Sequence, residues 1–222
     1  MPGPGDRRRE RLARARLYVV TGAREEQGDL AEFLAAVLEA GADIVQLREK
    51  DAEAGDLLRW SREFRAAADR WGALFVLNDR PDVAIVAGAD GVHLGQNDLP
   101  PSPARQIIGP DVLIGLSTHS PAEFEAGAPE ADYLCVGPLA ATPTKPGRPA
   151  TGLEIVTHAA YRAREGTERR PWFAIGGIDV ESLAGVLGAG ATRVAVVRAA
   201  VVRDPGAAVK ALVEGLAGFP VS

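Results

Sequence analysis

Residues 73–98 read Ala73-Leu74-Phe75-Val76-Leu77-Asn78-Asp79-Arg80-Pro81-Asp82-Val83-Ala84-Ile85-Val86-Ala87-Gly88-Ala89-Asp90-Gly91-Val92-His93-Leu94-Gly95-Gln96-Asn97-Asp98. An apolar run, Ala73–Leu77, gives way to Asn78 and Asp79. A segment opened by a proline, Pro81–Ala87, closes on Gly88. A second apolar run, Gly91–Leu94, again leads into polar residues. Short runs with β-branched and aromatic residues between turn residues read as strands; proline at the start and glycine past the end mark a helix. The stretch is a strand, a helix and a strand, with polar groups gathered after each strand.

The same grammar runs along the chain. Strands are expected at Leu17–Val20, Asp43–Leu47, Ala73–Leu77, Gly91–Leu94, Val112–Leu116, Asp132–Val136, Trp172–Ile175 and Arg193–Val197. Helices are expected at Asp29–Ala40, Asp56–Trp71, Pro81–Ala87, Ser102–Ile108, Ala122–Ala126, Leu153–Arg164, Val180–Leu187 and Pro205–Leu216. Strict alternation implies a parallel sheet, and eight strands in about 200–250 residues is the size of a closed (β/α)₈ TIM barrel. An open doubly wound sheet would place a glycine-rich phosphate turn after its first strand. Here Thr21-Gly22-Ala23-Arg24 follows instead.

With 222 residues and 46% hydrophobic content the chain holds one core, so a single barrel domain is expected over residues 17–222. Residues 1–16 carry six arginines and no apolar stretch, which reads as a solvated, loosely attached arm rather than a secretory signal. A net charge of −5 gives no basic field for nucleic acid or anionic lipid. No apolar run approaches the ~20 residues of a membrane span. The single cysteine, Cys135, excludes an internal disulfide and suits a reducing cytoplasm.

Barrels of this kind do their chemistry at the C-terminal ends of the strands. Gln46, Arg48 and Lys50 alternate at the end of the second strand, with Val45 and Leu47 on the opposite face, so the polar three are expected to point into the mouth. Asp79 and Asp98 follow neighbouring strands and could share one ion. Two oxygen ligands without cysteine suit Mg²⁺, and each aspartate could alternatively cap a helix. Ser117-Thr118-His119-Ser120 closes the fifth strand, where capping and anion binding are equally open. Only three of 25 cationic residues are lysine, and two of them, Lys50 and Lys145, fall at proposed phosphate positions. Lys145 lies in Ala140–Pro149, a Pro- and Thr-rich loop that reads as a lid. Gly176-Gly177 after the seventh strand, with the end of the eighth, forms a phosphate cup.

These motifs resemble thiamine-phosphate synthases: Gln46-Leu47-Arg48-Glu49-Lys50, Asn78-Asp79, His93-Leu94-Gly95-Gln96-Asn97-Asp98, Ser117, Thr142-Pro143-Thr144-Lys145 and Ile175-Gly176-Gly177-Ile178 stand in that family's order. The resemblance implies a transferase of thiamine biosynthesis that joins a hydroxymethylpyrimidine diphosphate to a thiazole phosphate and releases diphosphate. It implies that Gln46, Leu47, Arg48, Glu49, Lys50, Asn78, Ser117 and Lys145 hold the pyrimidine diphosphate. Asp79 and Asp98 would hold one Mg²⁺. Thr142, Pro143, Thr144, Gly177, Val197 and Arg198 would hold the thiazole phosphate, and Tyr18, His93 and His119 belong to the pocket. The implied partners are these two small molecules, without nucleic acid or membrane; a homo-oligomer is left open.

The chain departs from many members of that family at Gly22, where aspartate is common, and at Arg198, where serine is common. Two rival readings share the barrel. A thiazole tautomerase would use a histidine such as His119 as its base and needs no metal pair; otherwise the His119 ring supports Ser117. A non-catalytic ligand-binding barrel would need neither.

Overall fold

The structure, a computed structural model, describes residues 2–140, 150–168 and 170–219. Eight parallel strands close into a barrel in sequence order: β1 (Leu17–Thr21), β2 (Ile44–Leu47), β3 (Leu74–Asn78), β4 (Gly91–Leu94), β5 (Leu113–Thr118), β6 (Tyr133–Val136), β7 (Trp172–Ile175) and β8 (Val194–Val196). Helices α2 (Leu30–Glu39), α3 (Ala54–Trp71), α4 (Pro81–Val86), α5 (Pro101–Ile108), α6 (Pro121–Gly127), α7 (Glu154–Arg164), α8 (Val180–Gly188) and α9 (Pro205–Ala217) follow the strands in turn. The expected (β/α)₈ order is the observed one. Pairing of Leu17 with Val194 and of Tyr18 with Ala195 closes the ring.

The strands are covered on both faces, which is why they read as nearly continuous apolar runs. Period two still sorts their side chains. Tyr18, Val20 and Ile44 turn inward with Leu74, Val76, Leu113, Tyr133 and Phe173. Leu17, Val19, Val45 and Leu47 turn outward into the larger layer beneath the helices.

The N-terminal segment corrects the expectation of a loose arm. It forms a helix, α1 (Pro4–Arg14), whose Leu12, together with Ala15 just beyond it, packs into the inner cluster and closes the N-terminal mouth of the barrel. Three of its arginines reach acidic groups of the barrel, while Arg14 stays exposed beside Glu10. Arg8 Nε lies 2.9 Å from Asp90, Arg11 reaches the same carboxylate at 3.7 Å, and Arg9 Nε lies 3.0 Å from Asp132. From the barrel side, Arg193 donates to the carbonyls of Ala13 and Ala15 at 3.0 and 3.1 Å.

Three aspartates tie the strands together at this end. Asp43, Asp90 and Asp132 each stand immediately before an even-numbered strand. Asp43 accepts the backbone N–H of Leu17 at 3.0 Å, Asp90 that of Phe75 at 3.0 Å, and Asp132 that of Ile114 at 2.8 Å. Each ties the start of its own strand to the preceding one. Burial raises the Asp90 carboxyl, but hydrogen bonds from Arg65, the Phe75 amide and Arg8 outweigh it and leave the group below its ordinary range.

Candidate active site

The C-terminal mouth opens into a cavity of about 490 Å³. Of the residues singled out from the sequence, Tyr18, Gln46, Arg48, Asn78, His93, Ser117, His119, Gly177, Val197 and Arg198 line it. They arrive from seven strands or strand ends, so only the closed ring assembles them. Arg48 has no ion-pair partner among the described residues.

The Gln46–Lys50 run divides. β2 ends at Leu47, and one further ladder bond, Arg48 N–H to Thr21 O at 2.9 Å, carries Arg48 to the cavity. Leu47 is fully buried in the outer layer, so its side chain cannot touch a ligand in the mouth. The Glu49 carboxylate accepts the Ala23 N–H at 2.8 Å and fastens the β1–α2 loop. That places an anion in a structural bond, not on a diphosphate. Lys50 has left the strand and does not line the cavity; its ammonium lies 3.5 Å from Asp79.

Asp79 and Asp98 come together. Asp79 follows β3 with a left-handed backbone (φ 63°), and its N–H bonds the His93 carbonyl across to β4 at 2.8 Å. Asp98 closes a tight turn, accepting the Gly95 N–H at 2.7 Å. Neither aspartate caps a helix: the N-caps of α4 and α5 are Arg80 and Pro100. The two carboxyl groups meet within hydrogen-bonding reach. Burial, then the hydrogen bond and charge of Asp98, push Asp79 up to about 6 against the opposing pull of Lys50. Two carboxylates so placed require a proton or a cation between them. Among the described residues no group of three or more His, Cys, Asp or Glu side chains stands ready for a metal. Any ion here would therefore take most of its ligands from water and a bound molecule, a habit of Mg²⁺ and not of zinc.

On the far side of the cavity, the loops after β6 and β7 are zipped together. Leu139 N–H donates to Ile175 O at 3.0 Å and Ala140 N–H to Gly176 O at 3.1 Å. Gly176 and Gly177 both have positive φ, and a Cβ on Gly177 would stand 2.7 Å from that of Ala140. Only glycine lets the two loops close this way. Asp179 caps α8, accepting the Ser182 N–H at 2.9 Å; this bond, with a smaller contribution from Arg198, holds its carboxyl below the usual range. Asp179, Val180 and Glu181 line the cavity and were not singled out from the sequence, although Asp179-x-x-Ser182 is a legible capping signal. Thr142, Pro143, Thr144 and Lys145 lie outside the described residues.

The support expected of His119 toward Ser117 comes from the other mouth histidine, His93. His119 Nδ1 donates to the Gly137 carbonyl, and its backbone N–H donates to Glu123 at 2.8 Å, so this ring braces the end of β6. The histidine that holds Ser117 is His93, with Nε2 2.9 Å from Oγ.

Residues 17–200 match the family model described as thiamine monophosphate synthase. A thiamine-phosphate synthase of Acidothermus cellulolyticus is 56% identical over 190 residues, covering 85% of this chain and 88% of that one. One of Mycobacterium bovis is 52% identical over 213 residues, covering 91% and 95%. Among solved structures, a thiamine phosphate pyrophosphorylase from Pyrococcus furiosus superposes with a TM-score of 0.82 at 30% identity, over 96% of this chain and 99% of that one. An assembled mouth of this kind and relatives that align over most of their length point the same way: the chain belongs to the thiamine monophosphate synthase family.

Proposed function

We propose that the mouth joins a hydroxymethylpyrimidine diphosphate to a thiazole phosphate, with Mg²⁺ held by Asp79 and Asp98. The observation that carries this reading is the carboxylate pair: two acids from adjacent strand ends, beside Lys50, at the border of a cavity that presents Arg48, Asn78 and Ser117. Bound there, one Mg²⁺ would supply positive charge to the diphosphate oxygens.

The reaction needs no nucleophile from the protein. The bond from the pyrimidine methylene to the diphosphate oxygen breaks with its electron pair going to the diphosphate. The thiazole nitrogen then donates its pair to the methylene carbon. What the protein must do is stabilise charge on the leaving group, and preorganised donors do this best where water is scarce. Arg48 and Ser117 line the cavity, with Lys50 beside the acid pair, and they face that task. Gly177, Val197 and Arg198 at the ends of β7 and β8 take the thiazole phosphate, with Arg198 offering a guanidinium where a serine hydroxyl is common in this family.

The test is diphosphate release with both substrates, with and without Mg²⁺. Release that needs both substrates and the ion supports the proposal; release unchanged by chelation removes Asp79 and Asp98 from it. A cytoplasmic location belongs to the same proposal; whether the chain forms a homo-oligomer is left open. Fractionation addresses the first and sedimentation the second. No helix among the described residues is long and apolar enough to cross a membrane.

A further inference from the structure

Below the cavity, five side chains from five strands form one continuous hydrogen-bonded chain. Gln46 Nε2 donates to the Tyr18 hydroxyl, which lies 3.1 Å from the Tyr133 hydroxyl. The Tyr133 hydroxyl lies 3.3 Å from His93 Nδ1, and His93 Nε2 lies 2.9 Å from Ser117 Oγ. Both phenols are fully buried, and that burial holds them well above the ordinary tyrosine range, so each keeps its single proton.

The bridge from Tyr133 to His93 exists because one residue is missing a side chain. His93 on β4 and Tyr133 on β6 both pair in register with Gly115 on the strand between them. A Cβ at Gly115 would overlap the Tyr133 ring and its hydroxyl and stand 2.6 Å from His93 Nδ1. Through that gap the two rings stack with centroids 5.7 Å apart at 29°. The interior is built to let two strands that are not neighbours share a hydrogen bond.

We infer that Tyr133 is a positioning residue, which fixes His93 as its Nε2–H tautomer so that Ser117 presents its own proton to the substrate. The direction follows from counting protons. The Tyr18 oxygen receives the Gln46 amide, so its own proton goes on to Tyr133. The Tyr133 proton goes on to His93 Nδ1, which must then be the unprotonated nitrogen. His93 Nε2–H donates to Ser117 Oγ, and the Ser117 hydroxyl proton is left to point into the cavity. At the other end, Gln46 has its amide nitrogen engaged and turns an oxygen toward the ligand. The cavity floor thus presents an acceptor at Gln46 and a donor at Ser117, locked to each other through the three buried side chains between them. The inference rests on the reading of Ser117 as a diphosphate-binding residue.

The test uses the whole enzyme labelled with ¹⁵N-histidine, which has only three histidines to assign. Long-range ¹⁵N–¹H spectra should show His93 with its proton on Nε2. In Tyr133→Phe, which removes one oxygen and keeps the ring, that single tautomer should give way to a mixture. Turnover should fall about tenfold in kcat with KM for the pyrimidine diphosphate little changed, the scale of one misdirected hydrogen bond. Ser117→Ala should then cost less in the Tyr133→Phe background than alone, because both changes break one device. A wild-type His93 carrying its proton on Nδ1, or the same tautomer in Tyr133→Phe as in the parent, overturns the relay and leaves the reading of Ser117 standing. The expected tautomer with Ser117→Ala turnover undiminished overturns the inference from the other side, through failure of that reading.

Discussion

The two mouths of the barrel handle charge in opposite ways. At the N-terminal mouth Asp90 is 5% exposed and has Arg8, Arg11 and Arg65 around it, with Arg65 at 2.7 Å; Asp132 is shared by Arg9 and Arg105. At the C-terminal mouth Arg48 faces a cavity without an acidic partner among the described residues, and two carboxyl groups face each other. One end satisfies its charges with groups from the chain. At the other, among the described residues, Arg48 has no acidic partner and Lys50 is the one cation paired with the two facing acids. A closed end that is internally satisfied stabilises the fold; an open end that is unsatisfied is prepared to bind, at a cost in stability.

The largest effect expected from breaking that contrast is at the acid pair. Asp79→Asn or Asp98→Asn keeps the shape and removes one charge of the pair. Turnover should fall about 10³-fold, the upper end of what loss of one preorganised charge-stabilising group costs, and excess Mg²⁺ should rescue it only in part. Steady-state rates across a Mg²⁺ titration check this; near-parental rates would take the pair out of the reaction. Next comes Arg48→Ala, for which about a 10²-fold loss of turnover with an unchanged melting temperature is expected. An equal loss of stability would mean that Arg48 belongs to the fold and not to the site.

The closed end should respond the other way round. Asp90→Ala leaves three arginines around a buried position without their shared anion, and it leaves the Phe75 N–H unsatisfied. Removing one partner of a buried charge network costs about 3 kcal/mol, or roughly 6–12 °C in melting temperature for a chain of this length. Rates at 25 °C should be close to those of the parent. A substitution at Asp90 that slowed turnover without lowering the melting temperature would show that the two mouths are not separable.

The same contrast sets what could be read from the sequence. The barrel was legible because each strand is a local signal, a few apolar residues such as Leu74–Leu77 between turn residues, repeated eight times. Arg48, Asn78, Ser117 and the acid pair were legible because polar residues at strand ends have few reasons to be there. The N-terminal helix was not, because its partners Asp90 and Asp132 lie 82 and 123 residues from Arg8 and Arg9, and without them an arginine-rich segment looks solvated. Tyr133 was hidden for a related reason. As one more aromatic in a strand it reads as core, and it is core; its hydroxyl acquires meaning only when Gly115 is known to leave a gap toward His93. Glu49 and Lys50 look alike in the sequence as charged residues after a strand, and only the end of β2 at Leu47 decides that one fastens a loop and the other approaches Asp79.

The smallest effect is also the sharpest, because one substitution should move activity and stability in opposite directions. Asp79 titrates at about 6 in the folded protein against an ordinary value of 3.8, chiefly from burial and then from Asp98. The folded state therefore holds a proton that the unfolded chain has already released. Its contribution to stability is complete below the unfolded value and is lost as pH rises through about 6, so above that pH the ionised pair opposes folding. In Asp98→Asn the neighbouring charge is gone while an amide oxygen remains to accept the Gly95 N–H. Melting temperature measured without metal at pH 7.5 should then rise above the parent's. The side chain is partly exposed and Lys50 stands close, so screening limits the gain to about 1 kcal/mol, or roughly 2–4 °C. The difference should shrink toward zero as pH is lowered to 4, where Asp79 is protonated in the parent as well. A gain independent of pH would place its origin outside the pair. No gain at any pH would mean that Lys50 already neutralises the site, and the open mouth would then be less frustrated than its geometry implies.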